Sequence, residues 1–456
     1  MSFRSVTEVF KKAVGPSSSH TLGPLKAAGL FISTVYNSDI LHEISNIQVE
    51  LHGSFAYTGV GHLTHIAVSA GLSGFNIDRD IHPIRDNYMF LSLEKTIRDN
   101  NISIKFDPLT DIIYIKESCF ELSHPNTLVF KAFDEKDNVK ITKTYLSVGG
   151  GHIIEDGENQ TTRIQRKLSK PVFYGFSDII EYCKQNNINL IDFIYSNELD
   201  EHDKNRDEVD NYLRKMWTIM SDSVERGIKA TGILSGPLKL RRKANEMYFN
   251  FINGIRQWNL LAKEITLVTI YGIAASEENA DGGVVVTAPT CGSAGIIPAV
   301  LKILWEKFNL NEDKMIEALL ISGFIGSIII KLGSISGAEV GCQGEVGSAS
   351  AMAAGAACYL MGGDIDQIEC AAEIALEHHL GLICDPVGGL VQVPCVERNG
   401  VGAVSALNAA NLALLSMKGH VVSFDEAVKT MKEVGVDMNC KYKETSLGGL
   451  AILGKC

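Results

Sequence analysis

From about residue 270 the chain turns to alanine, glycine and serine, in runs such as "GSASAMAAGAACYLMGG" (347–363) and "GVGAVSALNAANLALLSMKGH" (400–420). Residues this small let helix backbones approach closely, which points to a compact, mostly buried helical bundle with glycine-rich connections. The run "ALLISGFIGSIII" (318–330) has 13 residues. That is short of the roughly 20 that span a bilayer, so it reads as a buried helix.

The first 155 residues read differently. "NIQVELHGS" (46–54) and "ISIKFDPLTDIIYIK" (102–116) alternate apolar and polar positions as half-buried strands do. "NTLVFKAFDEKDNVKITKTYLSVGGGH" (126–152) reads as a hairpin turning at 135–138. Residues 155–168 are polar with charges of both signs, as suits a linker. Helical patterning starts near residue 170, and the acidic "NELDEHDKNRDEVDNYL" (197–213) reads as a solvated helix face and connection. In "GGDIDQIECAAEIALEHHLG" (362–381), Asp364 with Gln367 forms a capping pair and Gly381 marks the end. The expected fold is multidomain: an N-terminal α+β domain (1–155), a linker (156–169) and a mostly α-helical C-terminal domain (170–456).

A net charge of -12, from 42 Lys+Arg against 54 Asp+Glu, comes without any dense basic run. That argues against a nucleic acid or an anionic membrane as partner. The N-terminus lacks a signal pattern, so the cytoplasm is the expected compartment. Eight of the ten cysteines follow residue 290. In a reducing compartment such a set means core thiols or metal ligands rather than disulfides.

Cys342, Cys384 and Cys395 fall in loops, with 41 and 10 residues between them. Three loop thiolates suit an iron-sulfur cluster with one iron left open. Their spacing equally suits small buried hydrophobes. "GPSSSHT" (15–21) packs four hydroxyls and a histidine behind a Gly-Pro turn, and "APTCGSAG" (288–295) repeats the theme before an apolar helix. Hydroxyls and free amides at a helix start bind carboxylates, although a simple helix cap uses the same residues.

"GPSSSHT", "SVGGG" (147–151), "PTCGSAG" (289–295), "GCQGEVGSASAMAA" (341–354) and "CDPVGGLVQVPC" (384–395) together resemble the bacterial iron-sulfur L-serine dehydratases, also called L-serine ammonia-lyases. The resemblance spans nearly the whole chain, with the N-terminal domain fused to the catalytic one. It implies a [4Fe-4S] cluster on Cys342, Cys384 and Cys395, and conversion of L-serine to pyruvate and ammonia without pyridoxal phosphate. It also suggests a regulatory serine site or a dimer interface in the N-terminal domain.

Elimination of water from serine needs a Lewis acid on the 3-hydroxyl and a base of near-neutral pKa for the α-proton. His62 is the first choice of base, and His20 is placed on the substrate carboxylate or as a second proton carrier. Ser17, Ser18, Ser19, Thr21, Thr290 and Ser293 are expected to contact the carboxylate and amino groups. His65, three residues beyond His62, is read equally as packing or as functional, and His378 and His379 as helix-terminal residues. Cys456, on a tail loosened by Gly448, Gly449 and Gly454, is expected to cap the fourth iron until substrate displaces it.

Two other readings stay open on sequence alone: a pyridoxal-phosphate serine or threonine dehydratase, and a non-catalytic cluster-bearing amino-acid sensor. A homodimer is expected, since two-fold dimers are the commonest oligomers.

Overall fold

The computed structural model describes residues 3–75, 77, 97–99, 102–116, 122–157, 172–254, 263–416 and 420–453. Most of the expected linker (158–169) and Cys456 lie outside the described residues. The strands are β1 (Lys11–Val14), β2 (Asn46–His52), β3 (Ile97–Asp99), β4 (Ile102–Ile104), β5 (Ile112–Ile115), β6 (Thr127–Phe133), β7 (Val139–Ser147), β8 (Ile153–Glu155) and β9 (Val284–Thr287).

Five strands form one mixed sheet in the order β5-β2-β6-β7-β8, with β2 and β5 parallel and the other pairs antiparallel. Alternation in β2 turns Ile47, Val49 and Leu51 inward. They share a core with Phe31 and Val35 of the helix Gly23–Tyr36 and with Val68 and Leu72 of the helix Thr64–Leu72. The sheet with two covering helices is the expected α+β half, and the 126–152 hairpin is β6 with β7.

The C-terminal half is helical, arranged around Val346–Leu360. That helix packs against Ile296–Phe308, Glu312–Leu332, Ile365–Glu377 and Cys395–Leu415. Its first thirteen residues, 346–358, are all buried. The approach is tight: a Cβ on Gly355 would lie 2.2 Å from Ile325 Cδ1. Glu312–Leu332 is long and apolar enough to cross a membrane by length and composition, yet it is largely buried within this core. The capping pair of Asp364 and Gln367 forms as expected. His378 and His379 follow the end of that helix, each donating from Nδ1 at 2.7 Å to the carbonyls of Ile374 and Ala375.

The first residues of the chain do not join the sheet. Phe3, Val6, Val9 and Phe10 sit in the core of the helical half. β1 then pairs antiparallel with β9, Lys11 opposite Thr287 and Val14 opposite Val284. Glu198 completes this docking: its Oε1 accepts the Val6 amide at 2.9 Å and its Oε2 the Ser5 hydroxyl at 2.6 Å. The acidic stretch 197–213 is thus only partly a solvated face, because Asn197 and Glu198 are buried and Glu198 holds the N-terminal segment.

Replacing Glu198 with Ala strands the Val6 amide in a buried setting, so unfolding stability should fall by about 1–3 kcal/mol. Urea titration of the full chain checks this. A loss below about 0.5 kcal/mol would mean that the N-terminal segment is held by apolar packing alone.

Candidate active site

β1 runs directly into the 15–21 loop. Gly15 is needed there because a Cβ would fall 1.9 Å from Asn279 O, and Asn279 Nδ2 donates to Pro16 O at 2.8 Å. Ser17 caps the following turn (Ser18–Leu22), accepting the His20 amide at 3.1 Å. The first amides of such a turn, those of Ser18 and Ser19, have no acceptor within it. Ser17 lines a small cavity of about 20 Å³, while the hydroxyl of Thr21 is spent on His62 O at 2.7 Å.

His62 is held at Nδ1, which donates to Thr58 O at 2.9 Å. Its Nε2 therefore carries the lone pair, and the residue lines the cavity. Burial pushes its pKa down to about 4, against the Thr58 hydrogen bond. It is thus a neutral base across the physiological range.

His20 lies behind it, with the rings 4.6 Å apart. Ser54 Oγ hydrogen-bonds to the acceptor Asn126 Oδ1, so it must accept the His20 Nε2 proton, at 3.1 Å. His20 Nδ1 in turn accepts from Ser19 Oγ at 2.9 Å. Burial and the neighbouring His62 hold the His20 pKa well below the usual range. His65 is part-buried on the following helix, and burial lowers its pKa as well.

The opposite wall carries the thiols. Cys342 sits in the turn Gly341–Gln343, Cys384 in an isolated bridge to Lys443, and Cys395 opens the helix Cys395–Leu415. All three are buried and line the same cavity as His62. Sγ of Cys342, Sγ of Cys384 and a Glu345 carboxylate oxygen lie within 4.8 Å of one another. Arg398, one turn beyond Cys395, puts Nη1 3.5 Å from Cys342 Sγ and is fixed by Ile383 O and Asp385. The hydrogen bond from Cys342 and burial raise the Cys384 thiol, and burial raises that of Cys395. Three soft donors facing a fixed guanidinium suit a thiolate-held metal cluster, whose binding displaces their protons.

The 288–295 loop supports this wall more than it faces the cavity. Thr290 Oγ1 donates to Glu345 Oε1 at 2.8 Å, and Ser293 Oγ donates to Ala288 O at 3.2 Å. Only Gly292 of this loop lines the cavity. Asn399 stitches the loop to the cysteine helix through Gly292 O, Cys395 O and the Gly295 amide.

Sequence reasoning missed Glu345, Arg398 and Glu444. Arg398 was open to detection as the residue at i+3 from Cys395, and Glu345 lies inside a quoted motif. Glu444 gave no local signal. It is 3% exposed, and its Oε1 lies 3.4 Å from His20 Nδ1 and 3.6 Å from His62 Nε2. Burial raises its pKa well above the carboxylate range, with Glu345 adding to the effect.

Fold and site define a two-domain protein in which a buried histidine and a thiol wall line one cavity. The chain belongs to the serine dehydratase family. Residues 185–451 match the model "Serine dehydratase alpha chain", and residues 5–158 match "Serine dehydratase beta chain". Curated relatives align end to end. The L-serine dehydratase of Streptomyces coelicolor is 41% identical over 98% of both chains. That of Haemophilus influenzae and L-serine dehydratase TdcG of Escherichia coli are each 40% identical over 99% of both.

The depressed His62 pKa has a sign that can be measured. Between pH 6.5 and about 4 the unfolded chain binds a proton that folded His62 refuses, so stability falls as pH falls. At about 1.4 kcal/mol per pH unit the window is worth about 3 kcal/mol. Denaturant titrations of His62→Gln should show a shallower loss between pH 7 and 4.5 than the parent chain. Equal slopes would mean that His62 is protonated in the folded state.

Proposed function

We propose that the chain is an L-serine ammonia-lyase that removes water from L-serine to give pyruvate and ammonia. The observation that carries this reading is that the His62 lone pair and three buried thiols line one cavity. Cys342, Cys384 and Cys395 would hold a [4Fe-4S] cluster. When bound, it would supply Lewis-acid chemistry toward the leaving hydroxyl.

The chain's own residues do the rest. The Ser17 hydroxyl and the amides of Ser18 and Ser19 bind the substrate carboxylate. His62 Nε2 takes the α-proton, and His20 keeps the serine turn and its own ring in register, as a second proton carrier. Thr21 acts through His62 O; Thr290 and Ser293 act through the loop that backs Glu345. The enamine left by loss of water hydrolyses in solution. Among the described residues no lysine lines the cavity, which disfavours a pyridoxal-phosphate Schiff base. A non-catalytic sensor would have no use for a proton acceptor beside the thiols. A thiol-held cluster belongs in a reducing compartment, and a two-fold homodimer is the assignment that oligomer symmetry favours.

Anaerobically purified protein should contain about four iron and four sulfide per chain and release pyruvate from L-serine. Cys384→Ser should lose iron and activity together. His62→Gln should keep the cluster while kcat falls by about 10²–10⁴. Iron-free protein with full activity would overturn the reading.

Cys456 is proposed as a further thiol that competes with substrate at the cluster. Cys456→Ser should leave anaerobic iron content unchanged and shift the KM for L-serine. Unchanged kinetics and unchanged stability in air would remove this role.

A further inference from the structure

The substrate in the functional reading above, on which this inference rests, carries an α-ammonium group that nothing so far accommodates. The cavity walls hold several polar side chains, and most are already engaged. Glu345 Oε1 accepts from Thr290, Arg398 is bound to Asp385 and Ile383 O, and His62 Nδ1 donates to Thr58 O. Glu444 differs: among the described residues its Oε2 is buried with no hydrogen-bond partner. Buried polar atoms are nearly always paired, so an orphan in a cavity wall marks a place where a ligand brings the donor.

The backbone shows that Glu444 is held there deliberately. Its φ is +59°, a left-handed conformation that side chains other than glycine adopt at a cost. The strained residue is pinned on both sides: its amide donates to Cys384 O at 3.0 Å, and its carbonyl accepts Thr58 Oγ1 at 3.2 Å. The segment continues along the 384–386 loop through Ser446 Oγ to Pro386 O and the Leu450 amide to Asp385.

We propose that Glu444 Oε2 receives the α-ammonium group of the substrate. Its other oxygen stands 3.6 Å from His62 Nε2. An ammonium on Oε2 therefore places the carbon one bond away, whose proton must be removed, beside the base. The same contact sets specificity, because a hydroxy acid without the amine leaves the buried Glu444 Oε2 unpaired.

The test compares L-serine with 3-hydroxypropionate, which has the carboxylate and hydroxyl but no amine, on the full-length, cluster-loaded protein without air. Glu444→Gln should raise the KM for L-serine at least tenfold, with a smaller change in kcat. The inhibition constant of 3-hydroxypropionate should stay level or improve. Glu444→Asp, which keeps the carboxyl group one carbon further back, should give an intermediate KM.

A parallel loss for both ligands, or an unmoved KM, overturns the inference while leaving the functional reading intact. If neither variant folds, the parent protein still decides: 3-hydroxypropionate should bind at least a hundredfold more weakly than L-serine, and comparable binding overturns the inference. Absence of pyruvate from loaded parent protein would remove the functional reading and this inference with it.

Discussion

Four residue pairs between β1 and β9 join parts of the chain some 270 residues apart, and the site depends on that pairing. It seats the 15–21 loop against the end of the helix Lys263–Ala280, where Gly283 O accepts the Gly15 amide at 3.0 Å. At the other end Lys11 Nζ donates to Gly150 O at 2.9 Å, tying in the glycine run after β7. The histidines ride on the α+β half and the thiols on the helical half. Without a fixed joint their separation would vary by ångströms, and proton removal demands reacting atoms held within about 3–3.5 Å. The apolar burial of Phe3, Val6, Val9 and Phe10 in the helical core anchors the joint.

Much of the architecture was readable because short-range periodicity reports which face of an element is buried. Alternation marked β2 and the β6–β7 hairpin, the Asp364 and Gln367 pair marked a helix start, and the alanine-rich runs marked close helix packing. Periodicity says nothing of what the buried face meets. Hence the N-terminal segment read as part of the first domain, although its apolar residues dock on the second. Glu198 was misread for the same reason: an acidic stretch is usually solvated, and only a distant partner turns one member inward.

The site was readable in proportion to how local its chemistry is. Cysteines beside glycine and proline announce themselves, and the serine run carries more hydroxyls than a cap needs. Thr290 and Ser293 show the limit, since a hydroxyl in a glycine-rich loop points outward or inward according to packing that the loop does not encode. Both spend their hydroxyls on the protein, on the Glu345 carboxylate and on the loop's own carbonyl. Glu444 lies sixty positions beyond Cys384 and reaches the histidines only because the Cys384 bridge to Lys443 folds the C-terminal segment back.

The distribution of polar groups around the cavity has a stereochemical consequence. A guanidinium stands on the thiol wall, a hydroxyl-rich turn begins at Ser17, and a carboxyl lies beside the two histidines. In the proposed arrangement these receive three different groups of one carbon atom: the hydroxymethyl at the thiols, the carboxylate at the turn, the ammonium at Glu444. Three distinct attachments leave a single direction for the fourth bond, which the proposed arrangement assigns to His62 Nε2. The mirror-image substrate can satisfy any two of the attachments but then turns its hydrogen away from the base. Handedness therefore follows from the division of labour between a thiol wall, a helix start and a buried carboxyl, and no one of them could impose it alone.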